Sequence, residues 1–337
     1  MGKEPAGSAP EAGGGHEVPD AGRSERLSAF AQEQGGLVVL VLVFVAACIF
    51  SGGFASSDNF TSILVGNAYT SLLALGMTFV IISGGIDLSV GSVFALGGVL
   101  AGWGVLHGGT VVAILLPLGV GLAIGAAQGL LIAYARLAPF IVTLAGLLFA
   151  RGVLQAMSNE GSQTNHVPPH SAFRALGNGT WVPILTAAVL FALGGVLLVR
   201  TRFGQALFAL GGNENAALLM GLPVARTKVL VYMLSGVLAC GAGMLNASRL
   251  EAGITNIGVG YELAAIAAVI IGGTLLTGGT GSVTGTVSGV LLLAVIQNLI
   301  GVHLSKYGSS ASDLVNGAFL VVVVLIQTLI SRRRLVT

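Results

Sequence analysis

Charge is scarce in this chain. Asp, Glu, Lys and Arg make up 8% of its 337 residues, against about 25% in an average soluble domain. Hydrophobic residues make up 54% and mean hydropathy is +0.93; no soluble fold buries that much apolar surface. Lysine is limited to Lys3, Lys228 and Lys306, and none follows the G-x-x-x-x-G-K-[S/T] loop that holds nucleotide phosphates. "GGTGSVTG" (Gly278 to Gly285) has glycines but no lysine and reads as a turn between spans. The chain therefore carries no nucleotide site. Cys48 and Cys240 both lie inside apolar runs, which speaks against a disulfide or a thiolate metal site. His166 and His170 are four apart, but Pro168 and Pro169 forbid the helix that would make them a metal pair. A net charge of +2, spread over loops, offers nothing to nucleic acid.

What is present is apolar length and glycine. Ten runs stand near the ~20 residues a membrane crossing needs: 37–55, 62–83, 89–106, 110–134, 138–157, 182–199, 227–248, 262–276, 283–303 and 313–331. The third and eighth are short. The 52 glycines suit helices that pack backbone to backbone. The expected fold is an all-α integral membrane protein of about ten transmembrane helices, some short or broken. Residues 1–34 are rich in Gly, Ala, Pro, Ser and Glu and read as a disordered tail, with helical composition near Ser24 to Gln34. Their acidic character argues against a signal peptide. Residues 35–331 then form one transmembrane domain.

The loops set the orientation. With the N-terminus inside, inside segments hold Lys3, Arg23, Arg26, Arg136, Arg200, Arg202, Arg226, Lys228 and Arg332 to Arg334. Outside segments hold Arg174, Arg249 and Lys306, and Arg151 falls within a span, near enough to its outer end to snorkel. Cations concentrate on the cytoplasmic side, so both termini and the 200–228 loop are expected inside and the 158–180 loop outside.

Asp87 is the one charged side chain between Asp58 and His107, within Ser83-Gly84-Gly85-Ile86-Asp87-Leu88-Ser89. A charge at mid-membrane costs at least ~2.5–3.5 kcal/mol. Two readings stand: an interfacial turn with Asp87 capping the next helix, or a helix broken at Gly84-Gly85 around a polar pathway. Val80 to Gly85 with Gly91-Ser92-Val93 is echoed by Val269 to Gly273 with Gly281-Ser282-Val283, in parallel orientation.

"GMTFVIISGGIDLSVGSV" (Gly76 to Val93) resembles the signature of sugar-uptake ABC permeases of the ribose, xylose and galactofuranose type. "APFIVTLAGLLFARGV" (Ala138 to Val153), "FGQALFALGGNENAALLMGL" (Phe203 to Leu222) and "GYELAAIAAVIIGGTLLTGGTGSVTGTVSGVLL" (Gly260 to Leu292) are similar to further blocks of that family. The likeness covers about residues 37–330, with galactofuranose permeases nearest. It implies the ABC importer permease fold in a bacterial inner membrane. It implies a permease subunit, not an enzyme, with no cofactor in this chain and ATP and magnesium on a partner ATPase. The other implied partners are an extracytoplasmic sugar-binding protein and a second or sister permease. The short inside helix would dock on the ATPase through Gly212, Asn213, Ala216, Ala217, Met220 and Gly221.

The pathway candidates are Ser83, Gly84, Gly85, Asp87, Ser89, Asn67, Thr143, Asn246 and Gln297, whose polar groups can meet sugar hydroxyls. Ser71, Thr78, Gln155 and Asn298 share that chemistry, and any of these amides and hydroxyls can equally hold helices together. The competing reading is an energy-independent channel or an ion-coupled carrier, which would need no docking helix; no buried acid–base chain of the kind a coupled carrier uses emerges. A membrane enzyme would need nucleophile or acid–base clusters inside spans, and none is seen. For topology, a cysteine at Gln163 is expected to react with an impermeant maleimide in intact cells. A cysteine at Gln205 is expected to react only after permeabilisation; the reverse pattern overturns the orientation.

Overall fold

The computed structural model describes residues 23–304 and, beyond them, 314, 317, 318 and 321. Helix dominates: α1 (Arg23–Phe50), α2 (Ser57–Asn67), α3 (Ser71–Ile82), α4 (Val90–Ala133), α5 (Pro139–Met157), α6 (Trp181–Arg200), α7 (Arg202–Gly212), α8 (Glu214–Leu219), α9 (Val224–Leu250), α10 (Tyr261–Ile271) and α11 (Val283–Leu304). Two short strands, β1 (Asn165–His166) and β2 (Ala252–Gly253), pair antiparallel between loops. This is the arrangement membrane physics requires, since helices satisfy their own backbone where no water reaches.

Among the described residues, five helices are long and apolar enough to cross a membrane, or six when α2 and α3 count as one span bent by 51°. The expected ten are not confirmed among the described residues, where α4 holds two of the expected runs in one helix. The first run is apolar only from Gly36 to Phe50, and the eighth is helical only as α10. The last run, 313–331, lies almost wholly outside the described residues, as does the tail up to residue 22. Residues 23–34, whose composition near Ser24 to Gln34 reads as helical, form the start of α1.

The runs 89–106 and 110–134 are joined as α4, whose backbone leaves the helical region at Gly109 (φ 71°, ψ −165°). A left-handed φ suits glycine, which has no Cβ to clash. The chain folds back there: a Cβ on Gly104 would lie 2.9 Å from the Ala113 backbone. The two arms pack on α9. Gly97 and Gly121, one on each arm, both approach Cys240, and Gly125 and Gly129 approach Met233 and Val229. Gly243 of α9 returns the contact, with no room for a Cβ beside the Phe94 carbonyl. Without a strong hydrophobic drive between helices in lipid, such close approach supplies the van der Waals attraction.

Between β2 and α10 the chain is not helical, and Arg151 of α5 answers for it. Its Nη1 donates to the carbonyls of Thr255 (3.0 Å) and Ile257 (3.3 Å). Arg151 was expected to snorkel; it serves instead as an internal donor for irregular backbone. Arg174 pairs with Glu251, and Arg249 donates to the Val65 carbonyl.

Gly243→Ala is expected to lower the thermal unfolding midpoint of the purified protein, since overpacking costs about 1–3 kcal/mol. Gly119→Ala is the control, because nothing lies within 4 Å of its Cβ; it is expected to leave the midpoint unchanged or raise it.

Candidate functional site

The α3–α4 break is built around Asp87, which is 1% exposed. Its Oδ1 accepts from the Ser89 amide (2.9 Å) and the Ser89 hydroxyl (2.6 Å), and its Oδ2 accepts from the Ser235 hydroxyl of α9 (2.7 Å). Gln128, on the second arm of α4, donates to the Ser89 hydroxyl at 2.9 Å. Thr143 of α5 donates to the Ile86 carbonyl at 3.3 Å and to Pro139 of its own helix at 2.9 Å. The capping role expected of Asp87 is corrected. Asp87 is enclosed, and Ser89 rather than Asp87 occupies the N-cap position of α4. The carboxylate ties the break to α9.

The sequence echo is a structural repeat of helix termination. Ser83, Gly84 and Gly85 donate their amides to the carbonyls of Phe79, Ile81 and Val80. Gly272, Gly273 and Thr274 donate to Ala268, Ile270 and Val269 in the same pattern. Gly84 (φ 80°) and Gly273 (φ 91°) supply the left-handed residue of each Schellman cap. The broken segments also meet: the Gly279 amide donates to the Ile82 carbonyl at 2.9 Å. The end of α7 seats on that junction. A Cβ on Gly211 would overlap the Ile82 carbonyl oxygen and lie 2.5 Å from the Gly279 nitrogen.

Two cavities flank α3. One, of about 750 Å³, lies at its C-terminal end among Ser83, Gly84, Gly85, Arg136, Glu214, Asn215, Lys228 and Tyr232. It adjoins the basic end of the bundle. The other, of about 310 Å³, lies at the N-terminal end of α3 and brings together Asn67, Thr70, Ser71, Tyr261 and Gln297. The pathway candidates thus separate. Ser83, Gly84 and Gly85 line the first cavity and Asn67 and Gln297 the second. Asp87, Ser89 and Thr143 are buried in the network between helices, and Asn246 is half-buried on α9 and lines neither cavity. Thr78 and Asn298 hold helices together, through Thr286 (2.7 Å) and Asn59 (2.9 Å).

The short inside helix is α8, which follows α7 directly; the Asn213 side chain caps it by accepting from the Ala216 amide at 3.0 Å. Gly212, Asn213, Met220 and Gly221 are exposed, and Ala216 is half-buried. Ala217 is 0% exposed and packs with Leu210 and Val224, so it cannot enter a partner's groove as expected. The exposed apolar face is instead Leu218, Leu219 and Met220, with Leu219 90% exposed.

Gly211, Gln128, Ser235 and Tyr232 escaped the sequence reading, because each acts through a contact distant in the chain. The Gly211-Gly212 pair was the one visible signal among them. The Tyr232 hydroxyl is buried without a hydrogen-bond partner among the described residues, a condition that costs about 1–3 kcal/mol.

Comparison with known proteins yields one family and many relatives. The family described as "Branched-chain amino acid transport system / permease component" matches residues 59–324. The ribose import permease protein RbsC of Bacillus subtilis is 38% identical over 308 residues, covering 90% of this chain and 94% of the relative. The inner membrane ABC transporter permease protein YjfF of Escherichia coli is 42% identical over 277 residues, 78% of this chain and 83% of the relative. The L-arabinose transport system permease protein AraH of Escherichia coli is 34% identical, covering 87% and 89%. No solved structure matches the chain.

Asp87→Leu would leave the Ser89 amide and the Ser235 hydroxyl without their acceptor, at about 1–3 kcal/mol for each buried group. It is expected to lower the thermal unfolding midpoint well below that of Asp87→Asn, which keeps one acceptor oxygen. Equal midpoints for wild type and Asp87→Leu would show that the carboxylate does not hold the break.

Proposed function

The chain belongs to the family of transport-system permease components, and on that premise we propose that it is the membrane subunit of an ATP-driven monosaccharide importer. The ribose and L-arabinose relatives support a pentose-sized sugar as substrate; the galactofuranose likeness of its motifs keeps hexofuranoses in the same class. In this reading the basic end, with Arg136, Arg200, Arg202, Arg226 and Lys228, faces the cytoplasm and both termini lie there. The 158–180 loop faces a sugar-binding protein outside. A second permease, the same or a sister chain, completes the pathway.

The observation that carries the proposal is the placement of α7 and α8. An apolar face, Leu218-Leu219-Met220, stands exposed on α8. In the same segment Gly211 abuts the junction of the two broken helices at Ile82 and Gly279. A partner ATPase that grips α8 can thereby move both breaks through a short rigid connection. Helix-in-groove docking uses apolar anchors of this kind. A channel has no use for such a face, and ATP with magnesium would sit on the partner, since this chain lacks the phosphate-binding loop.

Two substitutions separate docking from transmission. Leu219→Arg places a charge on the exposed face. It is expected to reduce copurification of the ATPase and to lower uptake at least ~10-fold, the loss that follows from about 1.4 kcal/mol or more of interaction. Gly211→Ala lies away from that face. It is expected to leave copurification intact while uncoupling ATP hydrolysis from uptake. Uptake that proceeds without ATP hydrolysis would favour the channel reading, and undiminished copurification with Leu219→Arg would remove α8 as the docking surface.

A further inference from the structure

α9 runs from the basic end, with Lys228 near its start, to the opposite end, with Arg249 in its last turn. A third cavity, of about 350 Å³, opens beside Arg249. α2 supplies Thr61, Ser62 and Val65 to its wall, and the segment before α6 supplies Asn178 and Thr180. The wall is held from below. The Tyr69 hydroxyl donates to the Leu176 carbonyl at 3.0 Å, and the Ser248 hydroxyl donates to the Phe173 carbonyl at 2.7 Å. Gly177 lies on the backbone of Arg249, where a Cβ would stand 2.3 Å from the amide nitrogen. Three elements distant in the chain are thus fixed around one polar opening.

Charge narrows the ligand. At this end of the bundle Arg151 is taken by two carbonyls and Arg174 by Glu251. Arg249 is half-buried and gives one N–H to the Val65 carbonyl, out of the five a guanidinium carries. No carboxylate pairs with it among the described residues, and no Asp or Glu lines the cavity. A partly buried cation without a counter-ion favours an anion, and the guanidinium fork matches the oxygens of a phosphate. Thr180 makes no side-chain capping bond, so its hydroxyl is left to donate. The Asn178 carboxamide accepts the Gly179 amide through its oxygen at 2.8 Å, which leaves its NH2 to donate as well. An ammonium or choline group would find no acid here.

The surroundings show where such a phosphate comes from. Trp181, next to Thr180, is 69% exposed, and exposed tryptophans mark the headgroup level of a bilayer. From there α6 exposes Leu185, Val189, Leu193 and Val196, a four- and three-residue spacing that keeps them on one side of the helix. The cationic cavity therefore stands at the head of an apolar stripe. A free anion would use the cavity alone, whereas an amphiphile uses both.

We propose that this cavity binds the headgroup of an anionic phospholipid of the phosphatidylglycerol class, with the phosphate on Arg249 and an acyl chain along α6. The glycerol of that headgroup brings hydroxyls to Asn178 and Thr61 and adds no cation. Seated there, the lipid closes the seam between α2, the start of α6 and the end of α9. The inference needs only that the chain crosses a bilayer and does not rest on the importer reading. The site shares no residue with the cavity that holds Ser83 to Gly85 or with the one at Asn67 and Gln297.

The test uses the purified, delipidated full-length chain in an uncharged detergent. Native mass spectrometry counts bound lipids, and thermal unfolding reads their effect. Phosphatidylglycerol is compared with phosphatidylcholine of identical acyl chains, and with inorganic phosphate and glycerophosphoglycerol as anions without chains. Phosphatidylglycerol is expected to bind saturably, to raise the unfolding midpoint and to bind about tenfold or more tightly than phosphatidylcholine. Arg249→Gln keeps a donor for the Val65 carbonyl and removes the charge. It is expected to weaken phosphatidylglycerol binding about tenfold or more, the loss of a charge-assisted contact, and to leave phosphatidylcholine binding unchanged. Thr180→Asp keeps a good N-cap residue on α6 and places a carboxylate in the cavity. Its lipid-free midpoint is expected at or above wild type, with phosphatidylglycerol binding weakened as much as in Arg249→Gln. Should Arg249→Gln fail to fold, Thr180→Asp decides the matter alone. The proposal is overturned by equal affinity for the two lipids or by wild-type phosphatidylglycerol binding in either folded variant. Binding of phosphate or glycerophosphoglycerol as tight as that of the lipid also overturns it, by making the cavity a site for free anions.

Discussion

Backbone hydrogen bonding without water is the constraint on which this structure depends. Every amide and carbonyl at membrane depth must find a partner inside the protein. A helix that stops there must therefore close its own end. α3 and α10 do so with the same three-bond pattern, each turning on a left-handed glycine, Gly84 or Gly273. The carbonyl of Ile82, on the last residue of α3, is taken by the Gly279 amide from the other broken segment. The two breaks thus complete each other, and a movement of one is felt by the other.

The same constraint explains the polar residues at depth. Asp87 uses both carboxylate oxygens, on Ser89 and Ser235, and Gln128 extends the network to the second arm of α4. A carboxylate so surrounded ties helix to helix while leaving little of itself for a passing solute. Arg151 does the corresponding work for the non-helical stretch before α10, donating to two carbonyls with one nitrogen. Neither residue lines either cavity. Asp87 and Arg151 thus serve the architecture.

Glycine makes the architecture compact enough for this. The two arms of α4 press against α9 through Gly97, Gly121, Gly125 and Gly129, and α9 answers with Gly236 and Gly243. Gly211 extends the principle to the end of the bundle, bringing α7 onto the backbone of both breaks. Close approach of backbones gives a stiff contact, because no side chain can change rotamer to absorb a shift. A displacement of α7 would therefore be carried to the end of α3 and to the segment that follows α10.

Much was legible in the sequence because membrane composition is a strong signal. The scarcity of charge and the long apolar runs determined a multi-helix membrane protein, and runs such as 138–157 and 182–199 match α5 and α6 closely. The echo of Val80 to Gly85 in Val269 to Gly273 was also readable, since capping needs glycine at a fixed place. What the sequence could not decide was partnership across distance. Nothing in the residues near Asp87 names Ser235, nothing near Gly85 names Tyr232, and nothing in α8 says that Ala217 faces inward while Leu219 faces out. A small helix can be as apolar on its exposed side as on its buried side, so composition alone does not orient it. Hydrogen bonds and van der Waals contacts act over a few ångströms, and only the folded chain brings such residues within reach of one another.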